Sequence, residues 1–235
     1  AEVVVYTMGP PKAREALVQC LAMGADRAVH LKDLAMAGSD TLATARTLAF
    51  ALQRDRFDLV FCGRNSTDSE TGQVGPELAE ILSIPHVSNV RMLEYTQETG
   101  NLVAERVTDD GYEVIKCPTP ALVCVTEGIM KERWPNRQEM QAAANKPIME
   151  ITAAQLSAEP SLFGTAGSPT WVADIQLLEP HRSGVVIEGV EPETAVRQVI
   201  DEFKNRVPAS TVTTDKQWNR YRGRIENSVW VIAEG

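Results

Sequence analysis

Residues 57–82 read FDLVFCGRNSTDSETGQVGPELAEIL, and the order of residue types in this stretch decides the fold. Leu59, Val60 and Phe61 form a short apolar run of the kind carried by a parallel strand buried on both faces. The run stops at Gly63 in a polar loop, and a helical pattern follows. A strand that feeds a helix through such a loop gathers free main-chain N–H groups and the positive end of a helix dipole at one corner. That corner can hold a phosphate or pyrophosphate without any basic side chain. Thr71, Gly72 and Gly75 supply a short polar side chain and two positions where a ligand can approach the backbone, and Pro76 suits a first helical turn. Asp68, Ser69 and Thr71 are candidate helix caps. The same residues also suit an ordinary capped strand-to-helix turn, and neither a Walker Lys-Ser/Thr pair nor a GxGxxG loop accompanies them.

Upstream, residues 2–8 are apolar and β-branched and end at Gly9-Pro10-Pro11. Ala13, Ala16, Leu17, Cys20 and Leu21 then follow helical spacing to a stop at Gly24. Residues 27–31 form a second short strand. Residues 40–53 place Leu42, Ala45, Leu48, Ala49 and Leu52 on one helical face, capped by Ser39 or Asp40. Alternation of this kind predicts an α/β fold: a doubly wound, mostly parallel sheet whose ligands gather beyond the C-terminal strand ends. Met8 with Gly9, and Gly63 to Thr71, lie at such ends.

Downstream the pattern becomes an antiparallel meander. HVSNVRMLEYT, LVAERVT and YEVIKCP are joined by turns at Glu98-Thr99-Gly100-Asn101 and Asp109-Asp110-Gly111. ALVCVT, residues 121–126, is again a buried-strand run that rejoins the parallel sheet. A polar segment at 127–136, a weak helix at 137–144 and a strand at 147–152 follow. SAEPSLFGTAGSPT reads as a connector, TWVADIQLLEP as extended chain, and residues 191–206 as an amphipathic helix on Val196, Val199, Ile200 and Phe203. Residues 208–227 are polar, yet Ser228 to Glu234 is strand-like. The expected organisation is an α/β domain at 1–156, an extended C-terminal arm at 157–206, and a linker with the start of another segment at 207–235.

The chain has 235 residues, 43% of them apolar and 6% aromatic, enough for a sizeable core. A net charge of −9 without a basic cluster argues against a nucleic-acid surface. Cys20, Cys62, Cys117 and Cys124 lack CxxC spacing, which makes free thiols in a reducing compartment the expectation. His30, His86 and His181 have no ligand-spaced neighbours, so a metal role has no support. No apolar run reaches the roughly 18 residues of a membrane span, and the opening residues do not read as a signal peptide.

GADRAVHL, the 57–82 stretch, PALVCVTEGIMKERWPN and GSPTWVADI, in that order, resemble the β subunit of electron-transfer flavoproteins over residues 2–206. The resemblance implies an adenine nucleotide α-hydrolase-like fold and a subunit without substrate chemistry of its own. It implies an α-subunit partner with which an FAD is shared, and electrons that pass from an acyl-CoA or other flavin dehydrogenase to a quinone oxidoreductase or another acceptor. It implies that the loop carrying Asp68, Ser69, Glu70, Thr71, Gly72, Gln73, Val74, Gly75 and Pro76 binds the phosphates of a second nucleotide. Met8, beside Gly9, would lie against its adenosine. That nucleotide is AMP in simple members and FAD in electron-bifurcating ones, and the loop here is closer to the bifurcating form. The segment at 127–136 corresponds to an arm that docks on dehydrogenases, with Ile129 or Met130 as its apolar anchor and Trp134 beside it. A plain surface loop, with Trp134 packed beneath it, accounts for the same residues. Residues 229–235, VWVIAEG, resemble the first strand of the α subunit, as in a β–α fusion. The family's opening strand and Asn-Pro segment, which help to enclose the adenosine, have no counterpart before Glu2. The resemblance places the protein in the cytoplasm, or in the mitochondrial matrix of a eukaryote. The alternative reading is an adenine-nucleotide-binding regulatory module without electron transfer. An adenylating enzyme is disfavoured, because no SGGxDS-like loop follows the strands and a hairpin turn explains Asp109-Asp110-Gly111.

Overall fold

The computed structural model describes residues 1–67, 69–96, 99–175 and 186–206. Asp68, Glu98, His181, the latter half of TWVADIQLLEP and the 207–235 segment with its strand-like end lie outside the described residues. The chain divides into two compact units, 1–175 and 176–235.

In the first unit, β1 (Val4–Met8), β2 (Arg27–Leu31) and β8 (Ile148–Ile151) form a parallel sheet in the order β1-β2-β8. A second sheet runs β3-β7-β4-β5-β6, built from β3 (Leu59–Gly63), β4 (His86–Thr96), β5 (Asn101–Thr108), β6 (Gly111–Pro118) and β7 (Ala121–Val125). Strand β7 is parallel to both β3 and β4, whereas β4, β5 and β6 form the antiparallel meander. The α/β class, the mostly parallel pairing and the meander are as the sequence predicts. The difference is that hydrogen bonds divide the strands into two sheets. Among the described residues β1 bonds only β2 and β3 bonds only β7, and these two edges are linked by side chains. Tyr6 Oη on β1 donates to Asp55 just ahead of β3, and Arg27 Nη1 reaches the same carboxylate at 3.2 Å. These two bonds draw the Asp55 carboxyl below the usual range, and burial first, then the bond to Asp55, pushes the Tyr6 phenol up to about 12.

Helix α2 (Thr41–Leu52) spans both sheets. Its Ala45, Ala49 and Leu52 pack with Val60, Leu122, Cys124, Leu78 and Ala79 over the second sheet, while Ala51 joins Val29, Leu31, Met36, Ile151 and Phe163 over the first. Asp40 caps this helix, its Oδ1 accepting from Ala43 N at 2.9 Å. Ser39 is not the cap and donates to Met36 O instead. The opposite face of the first sheet is covered by α1 (Arg14–Met23) and α4 (Arg137–Ala143) through Leu17, Leu21, Ala22 and Ala143. Helix α3 (Val74–Leu82) covers β7, and α5 (Ala153–Leu156) is a single turn.

Residues 157–170 are not a loose connector. Phe163 is 1% exposed, sits edge-on to Phe50 with ring centroids 6.0 Å apart, and joins the core under β2. Arg46 Nη1 donates to Leu162 O and Gly167 O, and Asp40 Oδ2 accepts from Thr170 N and Oγ1. Burial pushes the Asp40 carboxyl up, but the bonds from Ala43 and Thr170 hold it below its usual range. In the second unit, α6 (Pro192–Arg206) presents Val196, Val199, Ile200 and Phe203 on one exposed stripe, as its spacing predicts.

Candidate functional site

Two cavities open at the C-terminal ends of the parallel strands. The larger, of about 1140 Å³, is lined by Gly63, Arg64 and Asn65 at the end of β3, by Glu70, and by Val125, Thr126 and Glu127 at the end of β7. Asn89 and Arg91 of β4, with residues 106–109, close it. The smaller, of about 480 Å³, lies at the ends of β1 and β2 and is lined mostly by apolar side chains, among them Met8, Pro10, Pro11, Leu31, Leu34 and Met36. The candidate residues are therefore not brought together: Gly63 and Glu70 line the larger cavity, Met8 and Gly9 line the smaller, and Ser69 and Thr71 to Pro76 line neither of these two.

The loop between β3 and α3 is bent by two residues of positive φ, Glu70 at 51° and Gly72 at 63°. Glu70 N donates to Ser66 O at 3.0 Å, and the Ser66 and Ser69 hydroxyls bond each other at 3.0 Å. Gly72 is required here: besides its left-handed conformation, an added Cβ would lie 3.3 Å from Arg64 O. Helix α3 starts at Val74, which makes Gln73 the N-cap, and no side chain caps it. Ser69 and Thr71 are thus not caps, because the helix begins too far along the chain for either to reach its first amides. Val74 N and Gly75 N find no acceptor among the described residues, and Pro76 has no N–H, so the helix start keeps its donors free.

Gly75 has a different reason from the one its place in the loop suggests. A Cβ there would lie 2.4 Å from Cys124 Sγ and 3.6 Å from Cys62 Cβ. Its open side faces β3 and β7, so the missing side chain lets α3 settle on the sheet. Burial pushes the Cys62 thiol up to about 11 and raises that of Cys124, which keeps both neutral beneath the helix.

Sequence reasoning expected a cradle made of amides alone and missed the charged wall opposite. Arg64, Arg91 and Arg106 line the larger cavity together with Glu70, Asp109 and Glu127. Arg91 pairs with Glu105 and stacks over the Tyr112 ring at 4.9 Å, Arg106 pairs with Glu113 at 2.7 Å, and no carboxylate among the described residues pairs with Arg64. Arg91 comes to the cavity where β4 turns from pairing with β7 to pairing with β5. The register shifts there twice, between Val87 and Val90 against β7 and between Val90 and Met92 against β5. Asn89 sits in the first of these shifts with φ 58°. Such a bulge re-aims side chains. The only hint of it in the sequence is an Asn in a strand, since Asn tolerates the left-handed region.

In the 127–136 segment Met130 is 80% exposed and Trp134 72% exposed, so Trp134 does not pack beneath its own loop. Ile129 is half-buried against the cluster of Val87, Val90 and Val123. The segment ends in a capping box between Asn136 and Glu139, and Glu139 also pairs with Arg133.

Residues 1–156 match the family model described as the electron transfer flavoprotein domain. The chain belongs to the electron transfer flavoprotein family. It is 40% identical over 206 residues to the electron transfer flavoprotein subunit beta of Thermoanaerobacterium thermosaccharolyticum, covering 87% of this chain and 78% of that protein. It is 34% identical over 206 residues to the caffeyl-CoA reductase-Etf complex subunit CarD of Acetobacterium woodii, with the same two coverages. With the acryloyl-CoA reductase electron transfer subunit gamma of Anaerotignum propionicum it shares 32% identity over 214 residues, 87% of this chain and 79% of that one. As a beta-type subunit of an electron transfer flavoprotein it is an electron carrier that pairs with an alpha partner, and the redox chemistry belongs to bound flavin. No helix among the described residues is long and apolar enough to cross a membrane.

Proposed function

We propose that this chain carries electrons with an FAD-bearing α partner and holds a second nucleotide, FAD, in the larger cavity, its phosphates on the 63–76 loop. One observation carries the choice of a dinucleotide over AMP. The cavity, at about 1140 Å³, exceeds the roughly 300–1,000 Å³ of sites for drug-sized ligands, and it extends from the end of β3 and Glu70 to the wall that carries Arg91 and Arg106. The free amides of α3 suit one anionic group, and Arg64, Arg91 and Arg106 offer further partners for a pyrophosphate or a flavin carbonyl. Two flavins in one αβ unit are what bifurcation needs, and two relatives named for CoA-ester reductases agree with that setting. The donor would be an acyl-CoA or other flavin dehydrogenase, the acceptor a quinone oxidoreductase or another redox partner, and the compartment the cytoplasm. Residues 157–206 would continue as the arm that meets the α partner through the exposed stripe of α6.

The test is a count of small molecules released from the αβ complex on denaturation. Two FAD per unit is the expected result. One FAD with one AMP would reassign the complex to simple electron transfer, and adenine nucleotide without flavin would favour the regulatory module.

The exposed pair on the 127–136 segment would dock the dehydrogenase. Met130→Ala with Trp134→Ala should slow flavin reduction by that partner about tenfold, a usual loss for an aromatic anchor, with the flavin spectrum unchanged. Stopped-flow reduction measures it. Ile129→Ala should act through stability instead, because Ile129 packs inward.

A further inference from the structure

Three side chains join the start of α2 to the start of α3. Thr41 Oγ1 lies 3.0 Å from Gln73 Oε1 and 3.2 Å from Glu77 Oε1. A hydroxyl has one proton and can donate to only one of these oxygens. Both contacts are satisfied together when the Glu77 carboxyl is protonated: Glu77 donates to Thr41, and Thr41 donates to Gln73 Oε1. The Gln73 NH2 then has no protein partner among the described residues. When Glu77 is ionised, its carboxylate takes the Thr41 proton, because the charge-assisted bond is the stronger. Gln73 must then turn its NH2 toward Thr41 Oγ1, which leaves Oε1 as the free group.

We propose that Thr41 is a positioning residue for the nucleotide loop, setting which face of the Gln73 amide meets the phosphate according to whether Glu77 carries a proton. This rests on the reading of the 63–76 loop as a phosphate site. The surroundings favour the protonated state. Burial raises the Glu77 carboxyl, and Asp40 on α2 raises it further against the lowering bond from Thr41. Glu77 Oε2 is buried with no partner among the described residues, and no cation among them pairs with Glu77. An unpartnered buried oxygen is far less costly on an acid than on a carboxylate. An anion bound at the helix start stabilises the proton still further, so binding takes up protons. The sign follows: the acid form is the binding-competent one, and affinity is highest at low pH and falls as pH rises through the raised Glu77 pKa.

The experiment titrates AMP, the portion common to AMP and FAD, into the αβ complex after removal of its nucleotides. Calorimetry in buffers of differing ionisation enthalpy, across a pH series, reads affinity and proton uptake together. Wild type should bind with proton uptake and weaken as pH rises. Thr41→Val should bind about tenfold more weakly at the acid end, the net worth of one hydrogen bond or slightly more, and keep only the pH dependence that AMP's own phosphate imposes, whose second pKa is about 6. Thr41→Ser should restore the affinity and the wild-type pH profile. Glu77→Gln, whose NH2 always donates to Thr41, should keep the acid-end affinity apart from that same phosphate dependence. A Thr41→Val complex that binds AMP with wild-type affinity and pH profile overturns the positioning role while the phosphate site stands. If wild type itself does not bind AMP, the phosphate site falls and this inference with it.

Discussion

Gly75→Ala is expected to destabilise the subunit by about 1–3 kcal/mol, the usual cost of overpacking, and to release its nucleotide. Helix propensity alone predicts the opposite, since alanine gains about 0.5–1 kcal/mol over glycine inside a helix. The contact decides the sign: a Cβ 2.4 Å from Cys124 Sγ forces the buried thiol out of its place or α3 off the sheet. Val74 N and Gly75 N are the free amides at the start of α3, and on the proposed reading lifting α3 from the sheet would also displace them from the phosphate. Gly75→Leu should be more severe, and retention after gel filtration would show it. The two explanations for a glycine here, ligand approach and packing, separate in a double-mutant cycle. Cys124→Ala removes the sulfur and leaves the next contacts at 3.6 and 3.7 Å, an ordinary distance. Gly75→Ala combined with Cys124→Ala should therefore regain most of the lost stability and nucleotide, measured by urea unfolding and by nucleotide content. If the pair is no better than Gly75→Ala alone, the glycine serves the ligand side.

The elements that were legible in the sequence are those with an unbroken period. The face of Ala45, Ala49 and Leu52 located α2, and the alternation in HVSNVRMLEYT matched β4 at both ends. The corner between β3 and α3 was legible because strand, polar loop, glycines and helix follow one another along the chain. Its opposite wall was not. Arg91 and Arg106 enter the cavity through the pairing of β4 with β5 and the shift at Asn89, and nothing local to either arginine records that pairing. The contacts that join Glu77 to Gln73 were hidden for the same reason, since their middle member, Thr41, stands on another helix and looks like an ordinary first-turn residue. Met8 and Gly9 were correctly placed at a strand end, but strand order decides which cavity that end serves, and β1 adjoins β2 and not β3.

Phe163 shows how a single residue without a period escapes a pattern search, and it carries the other large expected effect. Phe163→Ala should cost about 3–5 kcal/mol, the range for removing a fully buried aromatic ring, read as a shift in the urea midpoint. Its ring meets Phe50 of α2 and packs with Leu31 and Met36, which line the smaller cavity, so the loss reaches beyond the 157–170 segment. The backbone on either side is already committed to that position. Gly164, at φ 57°, approaches so closely that a Cβ would lie 2.3 Å from Ala35 O, and a Cβ on Gly38 would lie 2.4 Å from Thr165 Oγ1. The two loops interlock, and the benzyl group is what they enclose. Trp171→Ala is the control: the side chain is as large but 73% exposed, and its loss should change stability by less than about 0.5 kcal/mol. If both substitutions have equal small effects, the segment adds nothing to the first unit, and the bonds from Arg46 and Asp40 only tether it. If Phe163→Ala alone is costly, the α/β unit includes the start of what the sequence reads as its arm, and an α partner that pulls on that arm acts directly on the wall of the smaller cavity.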